Sequence, residues 1–161
     1  MTRARNPATV AVIAADVAPP ERHTAYPDHF ASRVADRVRR RLGDVFGLKN
    51  FGVNLTRMVP GGISSLRHSH SRQEEFIYVL EGTPTLVTDS GEALLGPGQC
   101  AGFPAGGASH QLVNRTRSDV WFLEVGDRTV GDRITYPEDD LQAECGPDGR
   151  WVFAHKNGVP Y

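Results

Sequence analysis

Gly62-Ile63-Ser64-Ser65-Leu66-Arg67-His68-Ser69-His70-Ser71-Arg72-Gln73-Glu74-Glu75-Phe76-Ile77-Tyr78-Val79-Leu80-Glu81-Gly82 is the stretch that decides the fold. Two histidines separated by one residue on a strand point to the same face, because side chains alternate with period two. A turn through Ser71-Arg72-Gln73-Glu74 brings the run that opens at Glu75 alongside them. The same alternation puts Glu75, Ile77 and Val79 on one face, toward an interior, and Glu74, Phe76 and Tyr78 on the other. His110 lies far off in sequence and opens another apolar run, Leu112-Val113. Three imidazoles and one carboxylate facing a common interior suit a divalent transition metal. Imidazole suits Zn, Fe, Cu and Ni, and the carboxylate extends the range to Mn. Such a set leaves one or two positions for water or substrate, as a catalytic metal needs. A bare pair of histidines near serines also reads as a polar loop, so the spacing alone leaves both readings open.

Outward from this stretch the texture is that of many short strands. β-rich runs at Phe51–Met58, Glu75–Leu80, Thr85–Thr88, Ala93–Leu95, Gln111–Val113 and Val120–Val125 alternate with turn residues such as Pro60-Gly61-Gly62, Gly96-Pro97-Gly98 and Pro104-Ala105-Gly106-Gly107. Strands spaced about 8–12 residues apart with such turns predict a sandwich or barrel. Trp151–His155 reads as a late strand, and Gly126 to Pro147 as a long acidic excursion. Residues 1–28 read as irregular, with Val10–Ile13 a short edge strand stopped by Pro19-Pro20. Phe30, Val34, Val38 and Leu42 recur every four residues. That spacing predicts a helix of about three or four turns, with Asp28 as N-cap and Gly43 as stop.

The chain's 161 residues make one domain, and the 39% apolar and 23% charged residues exclude a disordered chain. No stretch approaches the roughly 20 apolar residues of a membrane span, and no apolar run after Met1–Arg5 suggests a secretory signal. The net charge of −1 argues against general nucleic-acid binding. Cys100 and Cys145 form no CxxC pair, which excludes a disulfide framework or a thiolate zinc site and predicts a reducing, cytoplasmic location. Cys100 reads as a small buried residue. Charge is uneven. Arg33, Arg37, Arg39, Arg40, Arg41 and Lys49 outnumber Asp36 and Asp44 over 29–49, whereas acids dominate 124–148. The two segments either complement each other as solvated surfaces or turn the arginines toward an anionic ligand.

The run Gly62, His68-Ser69-His70, Glu75, Gly82 resembles the first cupin motif, G(X)5HXH(X)3–4E(X)6G. Gly98, Pro104-Ala105-Gly106, His110, Asn114 resembles the second, with three residues between Gly106 and His110 where the family has two. An extra residue before a strand is absorbed by a bulge or a longer turn. Segments outside the motifs (Phe51–Leu55, Val125–Arg128, His155–Tyr161) look like a group of small single-domain bacterial cupins of unsettled function, sometimes labelled sugar-phosphate isomerases by loose analogy. The resemblance implies an all-β fold: a cupin double-stranded β-helix, or jelly-roll barrel. The barrel core lies at about 51–125 of a single domain 1–161, with an N-terminal helical or irregular arm and a C-terminal extension. It implies that His68, His70, Glu75 and His110 ligate one divalent metal (Zn, Mn, Fe or Ni), that Gly82 and Gly98 turn with positive φ, and that Asn114 is a buried hydrogen-bonding residue. It also implies a homodimer acting on a small-molecule ligand, with no nucleic-acid or membrane partner.

Within that frame the function stays open. Isomerase- or lyase-type chemistry on a small polar or anionic metabolite competes with iron-dependent dioxygenation, with a non-catalytic binding or sensor module, and with a metal that only stabilises the barrel. Arg57 and Arg67 flank the first motif and are the candidate substrate-binding cations at the mouth, although surface placement suits each equally well. No non-ligand acid or base is identified. An arginine-facing cavity with a spare acid or base would favour an enzyme; a closed apolar cavity would favour a binding or structural role.

Overall fold

In the computed structural model, which describes residues 10–161, the chain runs through β1 (Arg37–Arg41), β2 (Phe51–Met58), β3 (Ser69–His70), β4 (Glu75–Glu81), β5 (Thr85–Thr88), β6 (Gly91–Leu94), β7 (Cys100–Phe103), β8 (His110–Val113), β9 (Val120–Asp127), β10 (Arg133–Thr135), β11 (Gln142–Cys145) and β12 (Trp151–Ala154). The strands form three antiparallel sheets, ordered β1-β2-β9-β4-β7, β6-β5-β8 and β12-β11-β10-β3. The first two face each other as a β-barrel. Met58, Ile77, Val79, Val120 and Phe122 from one sheet pack against Leu112 and Leu86 from the other. Period-two alternation does this. On β4, Ile77 and Val79 are buried, while Phe76, Tyr78 and Leu80 stand exposed on the outer face.

A second core lies beside the first. Tyr26, Phe30 and Val34 of the N-terminal arm pack with Leu66, Ile134, Tyr136, Leu141 and Ala143, under Trp151 and Phe153. The 126–147 segment is therefore not a loose excursion. Its strands β10 and β11 join β3 to β12 and roof this second core.

The arm also departs from expectation. The helix predicted from Phe30 to Leu42 stops early: α1 (Asp28–Ala31) and a 3-10 turn at Ser32–Val34 give way to β1. Pairing of Arg37–Arg41 with Asn54–Met58 overrides the four-residue apolar spacing, since β-branched Val38 and alternating arginines fit a half-buried strand. Helix α1 begins after Pro27, so Asp28 is its first residue and not its cap, and Gly43 sits inside a short helix, α2 (Leu42–Val45), rather than ending one. Val10–Ile13 is not a strand, and a 3-10 turn follows at Ala14–Asp16. Cys100 is exposed, because it pairs with Tyr78 on the outer face.

Gly82 adopts φ +78°, and a Cβ there would lie 2.6 Å from the Asp119 carbonyl oxygen, so the β4 exit admits only glycine. Asn114 is fully buried. Its amide donates to the Met58 and Ser118 carbonyls at 3.0 and 2.8 Å and accepts from the Thr116 amide at 3.0 Å, locking the β8–β9 turn to β2. Among the described residues no helix is long and apolar enough to cross a membrane.

Candidate metal centre

His68, His70, Glu75 and His110 meet at the seam between the two cores. His68 and His110 bridge each other through reciprocal backbone hydrogen bonds of 3.1 and 2.8 Å, so their side chains leave adjacent positions. The extra residue before His110 is taken up in the loop. Gly106 turns with φ +69° and donates to the His70 carbonyl at 2.7 Å, and Gly107 donates to the Pro104 carbonyl at 2.9 Å. Glu75 enters from β4, opposite Gly126 of β9.

Glu75 Oε2 lies 2.9 Å from His110 Nε2, 3.3 Å from His68 Nε2 and 3.5 Å from His70 Nε2. Two ligands held at about 2.1 Å from one ion stand about 3.0–3.4 Å apart, so these separations suit a shared cation. The opposite ring nitrogens are engaged elsewhere. His68 Nδ1 lies 2.9 Å from the Leu66 carbonyl, His110 Nδ1 lies 3.3 Å from the Ala108 carbonyl, and His70 Nδ1 lies 2.5 Å from Asp132 Oδ2. Those acceptors favour a proton on each Nδ1 and leave three Nε2 lone pairs pointing at a carboxylate. Neutral rings of this tautomer and a carboxylate do not attract one another, so the cluster calls for a positive charge, supplied either by a proton on Nε2 that is donated to Glu75 or by a bound cation. The donor set fits a divalent transition metal. Burial pushes the Glu75 carboxyl up, but hydrogen bonds from His110 and His68 outweigh it and hold it well below the usual carboxylate range.

Asp132 had no signal in the sequence. It is fully buried, and Oδ1 accepts the Ser71 hydroxyl at 3.1 Å and the backbone N–H groups of Arg72 and Gln73 at 2.7 and 3.2 Å. Burial raises its pKa, and His70 together with those N–H groups lowers it below the ordinary value. Aromatic rings wall the cluster. Phe103 stacks on His110 with centroids 3.5 Å apart, and Tyr136 stacks on His68 at 5.9 Å. Tyr136 and Tyr26 pack edge to face at 5.8 Å, and burial raises both phenols, so they stay protonated at neutral pH.

The cluster opens on a cavity of about 410 Å³, whose wall includes Arg37, Arg39, Tyr26, Tyr136 and Glu124. Arg57 and Arg67 lie elsewhere. Arg57 pairs with Asp119 at 2.6 Å and sits over Trp121, and Arg67 is held by Asp89 and Glu138. The basic and acidic segments do complement each other, through Arg33–Asp139, Arg128–Asp44 and Arg39–Glu124. Arg39 and Arg37 nonetheless belong to the cavity, because β1 turns alternate arginines inward.

The sequence profile of the cupin domain matches residues 54–126. No protein of curated function matches the chain. Among solved structures, one named as a sugar phosphate isomerase from a cupin superfamily, from Silicibacter pomeroyi, is 44% identical, with a TM-score of 0.80 over 86% of this chain and 88% of that one. A structure from Acidithiobacillus ferrooxidans, named only provisionally as a sugar phosphate isomerase, is 30% identical, with a TM-score of 0.70 over 78% and 80% of the two chains. The polyketide cyclase RemF of Streptomyces resistomycificus is 27% identical, with a TM-score of 0.61 over 74% and 79%. Barrel, motif spacing and a 44% identical relative matched over most of both lengths agree: the chain belongs to the cupin superfamily.

Proposed function

We propose that the protein is a metal-dependent enzyme that moves a proton on a small, polar or anionic metabolite, in isomerase- or lyase-type chemistry. His68, His70, Glu75 and His110 are its metal ligands. The observation that carries this reading is the convergence of three Nε2 atoms within 2.9–3.5 Å of one carboxylate oxygen, inside a cavity that also presents arginines and non-ligand acid–base groups. A binding barrel needs no such groups. His68, His70, Glu75 and His110 would hold the ion, which would supply Lewis-acid polarisation of a substrate oxygen. The protonated phenols of Tyr26 and Tyr136 are donors to a developing oxyanion, and the Glu124 carboxylate, held by Arg39 at 2.8 Å and by the Thr56 hydroxyl at 2.8 Å, is the proton acceptor. Relatives named as sugar phosphate isomerases support a substrate of that kind.

The test begins with elemental analysis of protein purified without chelator or histidine tag. About one divalent metal per chain is expected, lost in a folded His68→Ala/His70→Ala variant. Solvent deuterium should then enter a sugar phosphate in the presence of the loaded protein, read by NMR. Metal content near zero, unrestored by manganese, iron, nickel or zinc, refutes the assignment.

A further inference from the structure

Arg37 is a buried cation with no ion pair of its own among the described residues: Glu124, which attracts it, is bound to Arg39. Arg37 is only 5% exposed, it faces the cavity from β1, and its Nε has no hydrogen-bond partner. Among the described residues it makes no ion pair, whereas Arg39, two positions on, holds Glu124 by two contacts of 3.0 and 2.8 Å. A structural arginine at such depth is ordinarily neutralised, because a buried charge left unpaired is strongly unfavourable. The fold has the means to pair one here and does so for Arg39. Burial, then repulsion from Arg39, push the Arg37 pKa down to about 10, so it still carries its proton at neutral pH.

We propose that Arg37 is an anion-binding subsite that receives the phosphate or carboxylate of a substrate whose other end reaches the histidine cluster. The guanidinium fork matches both oxyanions through paired N–H donors. Arg37 and the metal-ligand candidates line one cavity, so a single small molecule spans both. The second half of this assignment rests on the metal-enzyme reading; the anion site itself does not.

The full chain, treated with chelator, is titrated with inorganic phosphate and separately with acetate, by calorimetry and thermal unfolding. Saturable binding is expected, with phosphate the stronger if the substrate is a phosphate ester and acetate the stronger if it is a carboxylate. Arg37→Met should weaken binding on the order of 10- to 100-fold. Without anion this variant should melt no lower than the wild type, because it removes an unpaired charge. Arg37→Lys keeps the charge, loses the fork, and should bind several-fold more weakly. Absent binding of both anions, unchanged affinity in either variant, or a lower melting point of Arg37→Met without anion would each overturn the proposal. The two readings fail separately. Arg37-dependent phosphate binding without metal removes only the metal centre, and one metal per chain without anion binding removes only the subsite.

Discussion

Replacing Asp132 by asparagine keeps the shape of the side chain and reverses its chemistry. The carboxylate accepts at every contact: His70 at 2.5 Å on one oxygen, and Ser71, Arg72 and Gln73 at 3.1, 2.7 and 3.2 Å on the other. An amide offers one acceptor and one NH₂. Turned one way, NH₂ meets the His70 Nδ1 proton; turned the other, it meets two backbone N–H groups. The first arrangement is relieved only if His70 moves its proton to Nε2, which removes a lone pair from the cluster. Loss of a ligand-orienting partner of this kind weakens metal binding about 10- to 100-fold. That corresponds to about 1.4–2.7 kcal/mol. Loss of the charge-assisted bonds to the 71–73 turn also destabilises the fold by about 1–3 kcal/mol. The assay is a competition titration against a chromophoric chelator, with far-UV circular dichroism to show that the variant is folded. A folded Asp132→Asn protein with wild-type metal affinity refutes the argument that Asp132 fixes the His70 tautomer.

Asn114→Ala removes buried hydrogen bonds to Met58, Ser118 and Thr116 and should lower stability by about 2–4 kcal/mol, or roughly 5–15 °C in Tm, with metal stoichiometry unchanged. A shift under one degree would contradict its role as the lock of the β8–β9 turn. Asp127 accepts the backbone N–H groups of Glu74 and Thr129 at 2.7 and 2.8 Å, which outweigh burial and depress its pKa. A depressed carboxyl stabilises the fold above its unfolded value of about 3.9 and loses that contribution as pH falls through the folded value. In urea unfolding, the gap between the wild type and Asp127→Asn should therefore be full at pH 6 and close below about pH 4; a gap independent of pH counts against the linkage.

The barrel was legible in the sequence because its information is local. Alternation along Phe51–Met58, Glu75–Leu80 and Val120–Val125 and the glycine punctuation fix strands whose partners follow from the same period. The convergence of His68, His70 and Glu75 was legible from strand faces, although β3 pairs with β10 and not, as the turn through Ser71–Glu74 suggested, with β4. What remained hidden is set by distant pairing. Phe30, Val34, Val38 and Leu42 carry a helical spacing that only the pairing of β1 with β2 overrules. Asp132 and Tyr136 reach the histidines through β10, a strand of three residues too short to announce itself in a polar, acidic stretch. Arg57 and Arg67 are close to the motif in sequence, yet Asp119 holds the one and Asp89 with Glu138 the other away from the cavity.

The junction of His70 with Asp132 also dictates a timetable. The ligand leaves the ribosome 62 residues ahead of the carboxylate that orients it. At about 5–20 residues per second, that interval is about 3–12 s. During it His70 lacks the acceptor that fixes its tautomer, and Ile134, Tyr136, Leu141 and Ala143 of the second core are still to come. His68 already has its Leu66 acceptor in that window, whereas His70 turns with its tautomer unfixed. The aim of His70 is therefore completed only when β10 docks against β3, so a segment outside the barrel finishes the candidate site.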